Sequence, residues 1–236
     1  MTPVPVPELG LYRRATAAAL VFAPALLLVD NILHPKEFER GNEAEQLREI
    51  AAHADRWQLA HALGFVAIIV FAAAVLGLAF LVRRRQPRLG LVGGALGMVG
   101  LMSLVAAITL DGYTWGVLGA VSGQPGVDPG STATALHEVQ QSDWSLVYYL
   151  PTLAFVAGFV GLAIGAARQR AVAPWAGALL ALGGLMAALE TSVISNAYFI
   201  IASAVLLAGG AAVGAAIARM SDEDFARGGP VPTRMG

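Results

Sequence analysis

Six long apolar stretches divide the chain, and short polar or charged segments separate them. A helix needs about 20 residues to cross a hydrocarbon core of ~30 Å, and every stretch reaches that length. The pattern therefore predicts an all-α integral membrane protein, a six-transmembrane-helix bundle forming one membrane domain over residues 1–236, with the lipid bilayer as its main partner. The predicted spans are residues 15–34, 57–82, 89–111, 144–167, 172–191 and 197–218.

Two of the predicted connections are long, residues 35–56 and 112–143. Within residues 42–56, apolar positions recur at helical spacing, which predicts a short amphipathic helix lying on the membrane interface. Residues 122–132 are rich in turn-forming residues and are expected to form a surface loop. A second short helix is expected over residues 132–142.

Lysine and arginine are distributed unevenly between the two sides of the predicted bundle. If six helices alternate in direction, eleven of the 15 basic residues fall on one side, and residues 112–143 on the other side contain none. Short cytoplasmic loops carry an excess of Lys and Arg. The sequence thus predicts a multi-pass protein of a bacterial-type cytoplasmic (inner) membrane with both termini cytoplasmic. The remaining four basic residues are Lys36, Arg40, Arg48 and Arg56.

The second and third predicted helices resemble the fourth and fifth. Residues 55–57 (DRW) match residues 142–144 (SDW) at the start of a helix, and GLVGGALGMVGLM at 90–102 is similar to PWAGALLALGGLM at 174–186. Both hairpins have the same predicted orientation, so this is a parallel internal repeat. It indicates that the two hairpins pack around a common centre.

Composition narrows the class of function. Hydrophobic residues make up 57% of the chain and charged residues 13%, and the net charge of −1 argues against nucleic acid as a partner. The absence of cysteine excludes disulfides, thiolate metal sites and cysteine nucleophiles. Glycines recur every three or four residues on several predicted helices. Such small-residue faces favour close helix packing within the bundle, with a homo-oligomer interface as the alternative. On the third helix they are Gly90, Gly93, Gly97 and Gly100.

Ionisable residues within the apolar stretches gather toward the extracytoplasmic side. Asp30 and Glu190 each lie about sixteen residues, or ~24 Å, into a helix, whereas Asp111 is ~34 Å along its helix and is expected at the outer surface. A charged group in the membrane costs ~2.5–3.5 kcal/mol, so a partner, water or a function is expected there. Asp30 and His34 share one helix face.

Two aromatic stripes flank these residues at a spacing of four. The first reads His53, Trp57 and His61, and the repeat has Gln140, Trp144 and Tyr148 at the matching positions. The imidazoles are therefore not needed for the architecture, which favours a specific role for His61. The residues expected to line a substrate pocket are Trp57, Trp144, Tyr148 and Asn196.

Three interpretations of this polar group remain open. In the structural one, Asp30 pairs with His34 and the tryptophans anchor the bundle at the interface. In the second, Asp30, His34 and His61, with Glu190 as a further ligand, bind a divalent metal through nitrogen and oxygen. In the third, Asp30, Asp111 and Glu190 are catalytic acids or counter-charges for a lipophilic small molecule.

The leading hypothesis is a polytopic membrane protein whose polar pocket binds a small ligand or metal near the extracytoplasmic side. The first alternative is a membrane enzyme of the cyclase, isomerase or hydrolase type that acts on a lipophilic substrate by acid–base chemistry. The second is a transporter or an accessory subunit of a membrane complex. The inner halves of the predicted helices are almost wholly apolar, which counts against an ion path through the bundle.

Overall fold

The computed structural model describes residues 7–35, 42–141, 144–188 and 196–230, and all regular secondary structure in these ranges is helical. In chain order, the helices are α1 (Pro7–Leu33), α2 (Glu43–Ala52), α3 (Ala54–Arg83), α4 (Pro87–Ser122), α5 (Pro129–Gln141), α6 (Trp144–Arg168), α7 (Pro174–Ala188), α8 (Asn196–Arg219) and α9 (Asp222–Arg227).

Four of these helices are long and apolar enough to cross a membrane: α1, α3, α4 and α8. Two shorter apolar helices lie within the described parts of α6 and α7, over Thr152–Arg168 and Pro174–Ala187. Many large apolar side chains on these helices are exposed, such as Leu91 and Met102 of α4, each more than two-thirds accessible. Such a surface is solvated by lipid rather than by water. The predicted class, an all-helical protein with membrane-spanning helices, agrees with this architecture.

The six apolar helices form a closed ring. Each packs beside the next in the order α1, α3, α4, α6, α7 and α8, and α8 returns to α1. Helix α3 also contacts α6 across the interior. At one end of the ring, the arginine end, lie Arg13, Arg85 and the short helix α9. At the opposite end, the histidine end, lie the imidazoles of His34 and His61.

Glycine permits the closest helix contacts in the ring. A Cβ atom on Gly158 of α6 would lie 2.5 Å from the carbonyl oxygen of Gly93 on α4, so the two backbones are in contact. Gly100 and Gly210 similarly meet backbone atoms of neighbouring helices, at Phe155 and Leu20. The small-residue faces predicted from the sequence are thus occupied by contacts within one chain.

Helix α4 is longer than the predicted third span. It continues to Ser122, eleven residues beyond the expected end at Asp111, so the first part of the predicted connection 112–143 is helical. The added turns pack against α2, because Gly119 of α4 lies against Ile50. Leu47 and Ile50 of α2 are each only 1% exposed. The predicted amphipathic helix therefore exists, but protein rather than the membrane interface covers its apolar face.

The arginine end is closed by α9. Phe225 of α9 is fully buried against the rings of Tyr12 and Phe80, and Arg13 forms an ion pair of 2.8 Å with Asp222. The helix ends at Gly228, whose φ of 84° is the left-handed conformation that favours glycine. The C-terminal part of the chain thereby contacts both α1 and α3.

We predict that Gly158→Ala destabilises the protein, because its new methyl group meets backbone atoms of α4 that cannot rotate away. Overpacking of this kind costs about 1–3 kcal/mol. Gly161→Ala is the matched control on the same helix, since its nearest neighbour is a flexible Leu89 methyl at 3.5 Å. Thermal unfolding in detergent should show a lower Tm for the first variant and an equal or higher Tm for the second. Equal effects of the two substitutions would contradict backbone contact at Gly158.

Candidate functional site

Five residues predicted from the sequence lie together at the histidine end. Asp30 and His34 come from the end of α1, Trp57 and His61 from the first turns of α3, and Asp111 from α4. We call these five residues the polar cluster. They meet because α3 packs between α1 and α4 in the ring.

Asp30 is the most deeply placed acid of the polar cluster and is only 9% exposed. Its carboxylate lies against Gly64 of α3, where a Cβ atom would be 3.0 Å from Asp30 Oδ2. The side chain of Ile108 on α4 also borders this space. Within the described part of the chain, this carboxylate forms no hydrogen bond or ion pair. It is nevertheless close enough to His61 for their charges to interact.

His61 connects two helices through its two ring nitrogens. Its Nδ1 lies 2.9 Å from the carbonyl oxygen of Trp57, one turn earlier on α3. Its Nε2 lies 3.3 Å from Oδ2 of Asp111 on α4. Gly112 allows this approach, because any Cβ atom there would collide with the imidazole. The side chain of His61 is 11% exposed and that of Asp111 is 46% exposed, so the pair leads from the interior to the surface.

Aromatic rings pack around this pair. The ring of Trp57 lies 4.2 Å from that of His61 and 4.9 Å from that of His34, measured between centroids. Trp57 Nε1 donates a hydrogen bond of 2.8 Å to the carbonyl oxygen of Gly112, and the ring of Trp115 stacks on its other side. Trp57 is only 1% exposed, and its hydrogen bond to Gly112 holds α3 against α4. Its ring offers no open face to a ligand.

The expected side-chain pair between Asp30 and His34 is absent from the described structure. The two residues share the backbone hydrogen bond from His34 N to the Asp30 carbonyl oxygen, while the imidazole Nδ1 of His34 lies 3.3 Å from the carbonyl oxygen of Pro35. The ring of His34 turns toward Trp57 and His61 instead. Burial lowers the pKa of His34 below its usual value, and the nearby His61 adds to this effect.

The geometry does not assemble the predicted metal ligands. Among the described residues, no three His, Asp or Glu side chains are arranged to hold a metal ion. Asp30, His34 and His61 are neighbours, but the two imidazoles lie ring against ring, with 5.4 Å between their centroids. The divalent-metal hypothesis therefore gains no support from this arrangement.

Other residues singled out in the sequence lie elsewhere or outside the described part. Glu190 belongs to the undescribed residues 189–195. Three further residues lie on α6 and α8, but their side chains are outside the described part: Trp144, Tyr148 and Asn196. His53 lies at the junction of α2 and α3 and is 3.7 Å from Glu49.

Sequence reasoning missed three neighbours of the polar cluster: Gly64, Gly112 and Trp115. The two glycines leave the space that Asp30 and His61 fill. The sequence does not show these contacts, because they join residues on different helices. Trp115 lies four residues after Asp111, at the spacing of one helix face. A prediction that extended the third helix beyond Asp111 would have placed Trp115 on the same helix face as Asp111.

The chain matches no protein-family model, no curated protein and no solved structure. A buried carboxylate, an imidazole and a half-exposed carboxylate follow one another from the interior to the surface. Such a series can bind a positive charge or pass a proton.

Another histidine at the same end joins the short helices α2 and α5. His137 of α5 lies 2.8 Å from a carboxylate oxygen of Glu43 on α2. This hydrogen bond raises the pKa of His137 above its usual 6.5 and holds the pKa of Glu43 below its usual 4.5. The contact between α2 and α5 thus depends on pH.

We predict that this pair stabilises the fold most between pH 4.5 and 6.5. The contribution of His137 is complete below 6.5 and disappears as the pH rises through its raised pKa. That of Glu43 is complete above 4.5 and disappears as the pH falls through its lowered pKa. The Tm difference between the wild type and His137→Gln should accordingly be largest in this window and vanish at alkaline pH. A difference that does not change with pH would contradict the pairing.

Proposed function

We propose that this chain is a six-span protein of a bacterial-type cytoplasmic membrane, with both termini cytoplasmic and the histidine end facing outward. Two observations support the proposal. The arginine end gathers basic side chains from α1 and α3, as the cytoplasmic side of a membrane protein does. Helices α6 and α7 take places in the ring beside helices of spanning length.

The lack of cysteine makes this topology directly testable. Single substitutions at exposed positions introduce one thiol each: Gln124→Cys after α4, Ala173→Cys between α6 and α7, and Glu223→Cys in α9. We expect an impermeant maleimide to label only the first in intact cells and all three after permeabilisation. Labelling at position 173 in intact cells would show that α6 and α7 do not cross. Labelling at position 223 would show that the C-terminus is outside.

Within this topology, we propose that the polar cluster binds a small polar ligand that enters from the extracytoplasmic face. The observation that carries the proposal is Asp30, a residue only 9% exposed whose carboxylate has no hydrogen-bond partner among the described residues. Burying a polar group without a partner is costly, and the cost is greater for a charge. An acid kept in such a place is more readily explained by binding than by packing.

The packing around Asp30 supports the same proposal. Its carboxylate contributes no bond that joins α1 to its neighbours, whereas Asn31, the next residue, donates a hydrogen bond of 2.8 Å to Ser203 of α8. At this level of α1, a polar link to α8 is therefore made by Asn31 and not by Asp30. Asp30 faces Gly64, where the missing side chain leaves room for the carboxylate.

We predict that a thiol introduced by Asp30→Cys reacts with a small water-soluble methanethiosulfonate added to the extracytoplasmic side. Thr16→Cys is the control on the same helix, because Thr16 is fully buried and lies against Gly77 of α3. Mass spectrometry of the intact protein after timed exposure measures both rates. The expected result is modification at position 30 at least ten times faster than at position 16. Equally slow reactions would show a closed site and refute ligand binding there.

A further inference from the structure

The charges of the polar cluster do not balance. Its acids are Asp30 from α1 and Asp111 from α4, and its bases are His34, directly after α1, and His61 from α3. Arg56 of α3 lies at the rim, where it is exposed and donates hydrogen bonds of 2.9 and 3.1 Å to the carbonyl oxygen of Leu33. Glu49 at the end of α2 and His53 between α2 and α3 are close to each other and half exposed.

The two hydrogen bonds of His61 determine the net charge of its pair with Asp111. The Trp57 carbonyl oxygen can only accept, so Nδ1 of His61 donates to it. A hydrogen bond between Nε2 and the Asp111 carboxylate needs a second proton, on either the nitrogen or the oxygen. The pair is then an imidazolium with a carboxylate, or an imidazole with a carboxylic acid. Its net charge is zero in both cases.

The other bases do not compensate Asp30. Burial lowers the pKa of His34 below its usual value, which disfavours a positive charge on this imidazole. Arg56 is exposed and directed toward a backbone carbonyl oxygen. Among the described residues, an ionised Asp30 beside Gly64 and Ile108 therefore carries a negative charge that no neighbouring base balances. A carboxylate in such surroundings requires one positive charge, which is either its own proton or a bound cation.

The geometry points to a compact monovalent cation as the ligand of the polar cluster, bound at the Asp30 carboxylate in exchange for a proton. This inference rests on the proposed function, because it names the ligand class of the same site. A single charge matches the imbalance. A divalent metal ion would leave one positive charge in excess. In addition, no three ligand side chains are arranged for such an ion among the described residues. The ligand must be small because Gly64 and Ile108 pack closely around the carboxylate.

The exchange balances in charge and atoms. The cation binds, the carboxylic acid of Asp30 becomes a carboxylate, and one proton leaves. His61 lies three residues before Gly64 on α3, about 4.5 Å nearer the surface along the helix. Its hydrogen bond to the half-exposed Asp111 continues in the same direction. A proton leaving Asp30 therefore has titratable groups on its way to the extracytoplasmic face.

The experiment measures cation binding and proton release together. Purified full-length protein in weakly buffered detergent solution is titrated with methylammonium chloride or with NaCl, and N-methylglucamine chloride keeps the ionic strength constant. A pH indicator reports the protons released, and thermal unfolding at pH 6, 7 and 8 gives the apparent Kd. We expect up to one proton per chain. The apparent Kd should rise as the pH falls, approaching about tenfold per unit.

Two variants test the assignment to Asp30. Asp30→Asn keeps the shape but cannot exchange a proton, and it should lose both binding and proton release. Asp55→Asn is the matched control, since Asp55 is an exposed acid at the same end of α3, and it should retain both. Binding of methylammonium alone would identify a protonated amine, and binding of Na⁺ alone an inorganic ion. Either result supports a monovalent cation.

The failures are distinguishable. Saturable binding without proton release or pH dependence would overturn the exchange, and so would the absence of binding by both cations at pH 8. Retention of proton release in Asp30→Asn would overturn the assignment to this carboxylate. The reaction of the thiol at position 30 is independent of these titrations. A reactive thiol combined with no cation-linked proton release refutes the cation inference alone, whereas an unreactive thiol refutes the proposed site as well.

Discussion

The close approach of helix backbones at glycine is the contact on which the bundle depends. Inside a membrane, apolar side chains gain little by leaving lipid for one another, so helices associate through close packing and polar contacts. Gly158 against Gly93 brings α6 to α4, and Gly210 against Leu20 brings α8 to α1.

At the histidine end, glycine makes room for side chains rather than for a neighbouring backbone. Gly64 and Gly112 leave room for the polar side chains of Asp30 and His61. The packing of the helices and the shape of the candidate site therefore both depend on glycine.

At the histidine end, the residues that link the helices are different from the acid that we propose as the binding group. Trp57 is buried and hydrogen-bonded to the Gly112 carbonyl oxygen, so it fixes the distance between α3 and α4. Asn31 fixes α1 to α8. With these two links in place, Asp30 can change its charge state without loss of a bond that holds the helices together. This arrangement suits an acid that binds and releases a charge.

The sequence alone predicted the long apolar helices α1, α3, α4 and α8 because each is an extended apolar segment with polar ends. The end of α4 was misplaced because Asp111 resembles a membrane boundary, whereas Gly119 and Ile50 continue the packing beyond it. For the candidate site, spacing along one helix predicted the proximity of Asp30 to His34. It could not predict which way each side chain turns, and His34 turns to Trp57. The bond between His61 and Asp111 joins residues fifty apart and depends on helix packing.

The contact between α1 and α8 has a consequence for the order of assembly. Helix α1 is synthesised before the other five helices of the ring, yet one of its two neighbours is α8, which is synthesised after all of them. Until residues 196–219 have been made, the backbone of α1 near Ala17 and Leu20 has no glycine surface to meet. Phe225 then has to dock beside Tyr12. The native ring is consequently completed only after α8 has been synthesised, and a chain interrupted before α8 leaves α1 without its closing partner.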